Sequence, residues 1–209
     1  MRTRVLLAIT ALLMAIVSTV AIGSNMGFKI AIPLINDGNS TTANWVSLPY
    51  YNSYTDAASV KADIGANFAK ITRWDNTSHT YKSYTSSLNN FTITPGEGYN
   101  ITTLDGTGTT IWIVVGSHDP TKVISLLNDG NSTTANWTSI PYHTTSVNAA
   151  AIKAEIGANF AKITRWDNTS HTYKSYTNSL NNFTITPGEA YNITTLDGTG
   201  TTSWTPAHY

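Results

Sequence analysis

The sequence contains no cysteine, so neither disulfide bonds nor thiolate chemistry contributes to this protein. Charged residues are also scarce, because 12 Lys and Arg balance 12 Asp and Glu, and together they make up 11% of 209 residues. No basic face is therefore expected for phosphate groups, which argues against binding to nucleic acid. A net charge near zero also favours association between copies, so the chain needs another source of solubility.

A long internal repeat dominates the rest of the sequence. Residues Asn36–Thr110 recur almost unchanged as Asn128–Thr202, 92 positions later and without an insertion or deletion. Within this stretch, Ile64–Thr85 and Ile156–Thr177 are identical. A repeat of this length is one small domain used twice, so the sequence predicts a tandem of two modules.

The N-terminus has the features of an export signal. Arg2 and Arg4 precede Val5–Ile22, a mostly apolar run of 18 residues, and small residues lie just before Ser24. Cleavage there would remove residues 1–23 as a signal peptide and leave an extracellular or cell-surface protein with no membrane segment. The alternative is an uncleaved anchor, because 18 apolar residues reach the lower limit for a membrane span.

Within each module, short segments rich in Thr, Ile, Tyr and Trp are separated by turn residues such as Pro95-Gly96. One helix is predicted at Thr55–Ile64, with Thr55 as its N-cap and Gly65 just beyond its end. The pattern predicts an all-β fold with one short helix per module, arranged as two tandem immunoglobulin-like antiparallel β-sandwiches. The strands predicted in the first module are Asn44–Tyr50, Phe68–Trp74, Thr80–Thr85, Asn90–Thr94, Tyr99–Leu104 and Thr109–Val115.

These observations divide the chain into four segments. Residues 1–23 are the signal peptide, and residues 24–35 are an N-terminal linking strand. Residues 36–117 form the first module and residues 118–209 the second.

Nine Asn-x-Ser/Thr sequons without proline at x predict covalently attached N-linked glycans. Alternation along the strands is expected to put several of these asparagines on a solvated face, and two others lie at hairpin tips. Asn136 is expected to point outwards because it precedes an inward Trp137. Chance occurrence in a chain rich in Asn, Ser and Thr is the alternative. The sequon residues are Asn39, Asn76, Asn90, Asn100, Asn131, Asn136, Asn168, Asn182 and Asn192.

The two ends of the tandem differ. The segment Ser24–Ile35 alternates apolar with small or polar residues, as a half-buried strand does. The second module lacks the apolar Ile113–Val115 of the first, since Thr205-Pro206-Ala207 takes its place and predicts a short last strand. An extra strand and a thin core favour strand addition between copies, which would repeat the junction between modules. The alternative is that the segment is simply the first strand of its own module. The predicted assembly strand consists of Met26, Phe28, Ile30 and Ile32.

A signal peptide, a short apolar strand and two β-sandwich modules with many sequons together resemble the subunits of environmental extracellular glycofibrils. The resemblance implies an N-terminal strand that completes a neighbouring subunit, as in donor-strand pili. The segments NWVSLPY, RWD and FTITPGEGY are also similar to β-sandwich modules of secreted microbial proteins.

No cluster of residues in the sequence predicts catalysis, a metal site or a cofactor, so a non-enzymatic protein is expected. His79 and His171 lie near hairpin tips without further ligands at metal spacing, and they are interpreted as solvated turn residues. Glu97 is expected to pair with Arg73, and its copy Glu189 with Arg165, instead of facing a second carboxylate across a cleft.

The sequence therefore predicts a structural subunit of a secreted, N-glycosylated filament that polymerises head to tail with itself. The alternative is a secreted or surface-anchored carbohydrate-binding or adhesin module. In that case exposed Trp74 and Trp166 would stack on sugars, although core packing is the competing interpretation for tryptophan.

Overall fold

The computed structural model describes residues 27–40, 42–104, 106–132, 134–196 and 198–208. The predicted signal peptide and Met26 lie outside these residues. In the described part of the chain, 13 β-strands and two short α-helices form two modules with antiparallel sheets. The predicted all-β sandwich with one helix per module is confirmed, whereas the immunoglobulin-like assignment stays a prediction.

The first module contains two facing sheets. One has the strand order β1-β7-β3 and the other β2-β6-β4-β5. The helix α1 lies between β3 and β4 in the chain and continues as a 3₁₀ turn. The bounds are β1 Phe28–Asp37, β2 Asn44–Ser47, β3 Tyr51–Asn52, α1 Ala57–Ile64, the 3₁₀ turn Gly65–Asn67, β4 Phe68–Asp75, β5 Thr80–Tyr84, β6 Gly98–Thr103 and β7 Thr107–Ser117.

The second module repeats this plan with a smaller first sheet. Its four-stranded sheet has the order β11-β10-β12-β9, and β13 pairs with β8 alone. The bounds are β8 Ile124–Asp129, β9 Asn136–Ser139, α2 Ala149–Ile156, the 3₁₀ turn Gly157–Asn159, β10 Phe160–Asp167, β11 Thr172–Tyr176, β12 Ala190–Thr195 and β13 Thr199–Trp204.

Each module has its own apolar core between its two sheets. In the first module Leu34, Ile71 and Tyr99 are fully buried, and Tyr191 is buried at the equivalent place in the second. Full burial of such a side chain contributes about 1.5–3 kcal/mol. Helix α1 adds Val60 to the first core, and helix α2 adds Ile152 to the second. Burial of these side chains explains why the helices pack against the sheets.

The start of α1 differs from the prediction by one residue. Asp56 is the N-cap, and its side chain accepts a hydrogen bond from Ser59 N in a capping box. The segment Asn90–Thr94 is not a ladder strand as predicted, since only an isolated bridge joins Asp56 and Thr92. Its backbone instead bonds the start of the helix, because Phe91 O accepts from Ala57 N at 2.9 Å.

The predicted assembly strand lies in the first module of its own chain. Strand β1 pairs with β7 over ten residues, from Phe28 opposite Gly116 to Asp37 opposite Thr107. The predicted boundary between the N-terminal linking strand and the first module, after Ile35, therefore falls inside β1. The short last strand of the second module is confirmed, because β13 has six residues where β7 has eleven.

Candidate functional site

Polar and aromatic side chains join the two modules, and equivalent residues that are 92 positions apart meet there. The rings of Trp45 and Trp137 are 4.9 Å apart. The hydroxyl oxygens of Ser47 and Ser139 are 2.5 Å apart and buried. When equivalent residues touch each other, the two units are related by a two-fold axis. The modules thus form an internal pseudo-dimer through the faces of their four-stranded sheets.

Hydrogen bonds across this module interface occur in reciprocal pairs. Ser47 N donates to Gly188 O at 2.9 Å, and Ser139 N donates to Gly96 O at 3.0 Å. Two tyrosines repeat the relationship: Tyr50 Oη donates to Ser139 O at 3.0 Å, and Tyr142 Oη donates to Ser47 O at 2.7 Å. The contact between modules is therefore two-fold and closed. The head-to-tail contact expected between copies stays a prediction.

The hairpin tips that carry two sequons are part of this interface. Asn76 Nδ2 donates to Ala135 O at 2.9 Å, and Asn76 Oδ1 accepts from Ala135 N at 3.1 Å. In the opposite direction, Ala43 N donates to Asn168 Oδ1 at 3.1 Å. Trp74 Nε1 also donates to Asn76 Oδ1, at 2.7 Å. The two sequons at the hairpin tips therefore lie at the module interface, where their amides join the modules.

The same hairpins place two histidines against carboxylates of the other module. His79 Nε2 lies 3.2 Å from Asp129 Oδ2, and His171 Nε2 lies 3.2 Å from Asp37 Oδ2. The interpretation of these histidines as solvated turn residues is wrong, because their side chains are about one-quarter exposed and have acidic partners. Hydrogen bonds from Thr42 and Asn39 hold the pKa of Asp37 below its usual value.

Asn136 is buried, contrary to the expectation that it points outwards. Its side chain is fully hydrogen-bonded, with Nδ2 donating to Leu127 O and Ile193 O and Oδ1 accepting from Leu127 N. Its counterpart Asn44 makes the same contacts with Ile35 and Ile101 without being part of a sequon. The residue is therefore required by the strand packing in both modules.

Two further sequons lie on the sheet faces that the modules turn towards each other. Asn100 is directly opposite Trp45 in the β2–β6 ladder and shares its face, and it is half-buried. Asn192 has the same place opposite Trp137. The expected solvated face is covered, because alternation separates the two faces of a strand without saying what packs on each.

Four sequon asparagines are exposed, at two equivalent places in each module. Asn39 and Asn131 lie in the turns after β1 and β8. Asn90 and Asn182 lie beside the helix starts, where Oδ1 of each accepts from a helix N–H at 2.9 Å. Asn90 Nδ2 also donates to Asp56 Oδ2 at 3.0 Å. Glycan attachment at all nine sites stays a prediction.

Tryptophans proposed as a sugar platform belong largely to the module interface. Trp74 and Trp166 are half-buried beside it, and Trp45 and Trp137 are buried within it. Each outer tryptophan makes an edge contact of 4.9 Å with a tyrosine, Trp74 with Tyr81 and Trp166 with Tyr173. The tyrosines are the exposed members of these pairs.

The predicted ion pairs between arginine and glutamate are present in both modules. Arg73 Nε lies 3.3 Å from Glu97 Oε1, and the copies in the second module are 3.2 Å apart. Burial raises the pKa of Glu97, and the charge of Arg73 opposes that rise. Tyr99 Oη donates to the same carboxylate at 3.0 Å. The charges of Arg73 and Glu97 thus compensate each other in a largely buried place, although Arg73 Nε makes no hydrogen bond there.

A strip of three apolar side chains on the outer face of β7 distinguishes the first module from the second. Ile111, Ile113 and Val115, the β7 strip, are 56%, 40% and 59% exposed. At the equivalent places the second module has Ser203, Thr205 and Ala207. The repeat is therefore broken on this face, where the first module is more apolar.

Three histidines meet where the linker, the second module and the C-terminal tail come together. The rings of His118 and His143 are 4.3 Å apart, and those of His118 and His208 are 5.5 Å apart. Burial, followed by the charges of His118 and His208, lowers the pKa of His143. Over residues 27–208, apart from the four undescribed positions, no group of three or more His, Asp or Glu is arranged to hold a metal ion.

Among the described helices, none has both the length and the apolar character that crossing a membrane requires. No protein family matches the chain, and no curated protein or solved structure matches it either.

Proposed function

We propose that this chain is a non-enzymatic structural subunit of a secreted, N-glycosylated extracellular filament, built by contacts between copies of itself. The observation that carries the proposal is the exposed β7 strip of Ile111, Ile113 and Val115. Contiguous apolar side chains on the surface of a β-protein are typical of a contact site. A second copy is a suitable partner because a neutral chain with few charges has little repulsion to overcome.

The asymmetry between the modules supports a directional contact. The second module keeps the fold with Ser203 and Thr205 where the first has Ile111 and Ile113, so the fold itself does not require the apolar residues. An apolar strip retained in one module is explained by a role outside that module's own core. Repetition of a contact between two different surfaces gives an open filament unless it closes into a ring.

The predicted insertion of an N-terminal strand into a neighbouring subunit corresponds to an exchange of β1, in which β1 of one copy pairs with β7 of the next. Strand β1 is an edge strand at the start of the described chain, and it occupies the same place beside β7 whether it comes from the same chain or from a neighbour. Exchange of an identical element between copies is a low-cost route to assembly. The exchanged assembly strand would provide Phe28, Ile30 and Ile32, together with Met26 outside the described residues.

Glycans on Asn39, Asn90, Asn131 and Asn182 would keep such a subunit soluble. All four are exposed, and they lie in turns or beside helix starts, away from the β7 strip in sequence. Attached sugar would compensate for the low charge of the chain.

The test is electron microscopy of native secreted material and of a triple variant, I111S/I113T/V115A, that carries the residues of the second module. We expect filaments from the native protein and folded, unassembled subunits from the triple variant. Leu88→Ser is the matched control, because Leu88 is 77% exposed at another site. Equal assembly of the triple variant and this control would show that the strip is not the contact, and native material without filaments would refute the function.

Carbohydrate binding is the second candidate, favoured by the exposed Tyr81 and Tyr173, which are 56% and 58% accessible. Exposed aromatic rings stack on sugars. Glycan binding by unassembled subunits that is lost in a Tyr81→Ala/Tyr173→Ala variant would favour this candidate. Tyrosine is the better position to change, because Trp74 and Trp166 hydrogen-bond the hairpin tips of the module interface.

A further inference from the structure

Gly98 and Ala190 are equivalent residues of the repeat and face each other at the pseudo-two-fold axis. A Cβ atom placed on Gly98 would lie 2.6 Å from Cβ of Ala190 and 3.2 Å from Thr138 N. Non-bonded carbon atoms attract best at about 3.5–4.0 Å, so 2.6 Å is a severe overlap. Position 98 therefore accepts only glycine while position 190 is alanine, and Ala190 itself is 1% exposed.

The rest of the contact surface is almost identical in the two modules. The reciprocal contacts use the same residue type on both sides, so each surface is nearly complementary to a second copy of itself. The pairs are Ala43 and Ala135, Trp45 and Trp137, Ser47 and Ser139, Tyr50 and Tyr142, Asn76 and Asn168, and His79 and His171.

The glycine and alanine at the axis break this equivalence. Two second modules facing each other would bring two alanine methyl groups into the overlap that the glycine avoids. Two first modules would leave a methyl-sized gap between their tryptophans, where Ala190 now packs with Trp45 and Trp137. Both arrangements are unfavourable, since overlap and cavities each destabilise a packed interface.

We propose that Gly98 and Ala190 make the module interface selective for unlike partners, and that a second copy of this chain supplies the partner during assembly. The first module of one copy would then bind the second module of the next. This inference rests on the proposed filament function and gives it a specific contact and a polarity.

The connection between the modules is compatible with such an exchange. Strand β7 ends at Ser117 and β8 begins at Ile124, so six residues join the modules. Fully extended, six residues span about 20 Å. With the linker extended, one chain presents two different complementary surfaces. Pairing of unlike modules in successive copies then gives an open filament, unless it closes into a ring or a reciprocal dimer. Within one chain, the short linker holds the two modules at an effective concentration of roughly millimolar. Pairing between chains must compete with this pairing within the chain, so exchange requires a concentrated protein.

Engineered cysteines provide the test, because the chain has no cysteine of its own and the Ser47 and Ser139 oxygens are 2.5 Å apart. Full chains carrying Ser47→Cys or Ser139→Cys are oxidised at high concentration, alone and as a mixture, and covalent dimers are quantified on non-reducing gels. We expect the mixture to give roughly tenfold more dimer than either chain alone, because the methyl overlap penalises like pairing and a tenfold preference corresponds to only about 1.4 kcal/mol.

Two variants make the result specific. Adding Ala190→Gly to the Ser139→Cys chain should raise its self-crosslinking, because the methyl overlap is gone. A chain with both Ser47→Cys and Ser139→Cys should form an internal disulfide, which verifies the geometry. Equal dimer yields from like and unlike chains would overturn the selectivity. An internal disulfide without any crosslink between chains would overturn the exchange.

The doubly substituted chain also separates this inference from the filament function. Oxidation locks its modules together, and reduction releases them. Filaments that form from the native and the reduced protein but not from the oxidised protein support exchange. Filaments from the oxidised protein overturn exchange and leave the filament function intact. Native protein that forms no filament overturns the function, while the crosslinking still measures selectivity.

Discussion

Asn136 binds both backbone groups of Leu127, accepting from its N–H at 2.8 Å and donating to its C=O at 3.0 Å. The side chain thus takes the place of a neighbouring strand for β8 and also donates to Ile193 O in β12 at 2.9 Å. Replacing Asn136 with Ala should lower the free energy of unfolding by about 1–3 kcal/mol, because buried backbone groups lose their partners. Chemical denaturation would measure this loss.

Thr138→Val is the control for that measurement, because it removes the sequon and keeps Asn136. Valine occupies the equivalent place in the first module as Val46, where it is buried. The variant loses the buried hydrogen bond from Thr138 Oγ1 to Asn136 O, so it should lose about 1 kcal/mol, less than Asn136→Ala, and keep the same glycan mass. A loss of one glycan on this change would contradict the structural role assigned to Asn136.

Glycan occupancy should follow exposure and not sequon number. We expect glycopeptide mass spectrometry of native material to find sugar on Asn39, Asn90, Asn131 and Asn182. Asn76 and Asn168 should be unmodified, because their amides join the modules. Substantial glycan on those two residues would mean that the modules separate before modification.

Mild acid should weaken the junction around His143. Its pKa is lowered in the folded chain by burial and by His118 and His208. The unfolded chain therefore binds more protons, and stability that is present above the ordinary histidine pKa, about 6.5, is lost as pH falls through that value. The melting temperature should drop between pH 7.5 and 5.5, and by less in His143→Gln. An equal drop in both proteins would contradict the prediction.

Deletion of Ser24–Lys29 should prevent assembly and leave folded subunits. The deletion removes Phe28, which contacts Tyr142 at 4.7 Å, but keeps eight of the ten residue pairs between β1 and β7. Circular dichroism should show a folded protein, and electron microscopy should show no filaments. Filaments from the shortened chain would exclude exchange of β1.

Much of the fold follows from local patterns in the sequence. The helix was predicted to within two residues because a capping side chain precedes it and Gly65, with φ of 76°, ends it. The Arg73–Glu97 pair was predicted correctly. The prediction of a strand at Asn90–Thr94 was wrong. The same alternation of apolar residues also fits a segment whose backbone bonds the start of a helix, and Asn89, with φ of 58°, turns the chain just before it.

The module interface left only a weak signal in the sequence. An asparagine tip such as Asn76, an aromatic such as Trp45 and a histidine such as His79 are equally consistent with an exposed hairpin. Their contacts lie 59 to 125 residues away in the chain for the two hairpin asparagines, and no local pattern encodes such distances. The difference between Gly98 and Ala190 was visible as a break in the repeat, but its meaning depends on the two residues touching.

The sequence alone determined the tandem of two β-modules, their short helices and the difference between their last strands, because these depend on repetition, periodicity and capping. The tertiary structure decided that the modules face each other about a two-fold axis. That arrangement covers one face of each four-stranded sheet, and it therefore separates covered sequons such as Asn100 from exposed ones such as Asn39. Exposure depends on what packs against a face, and a strand pattern identifies the face without identifying what covers it.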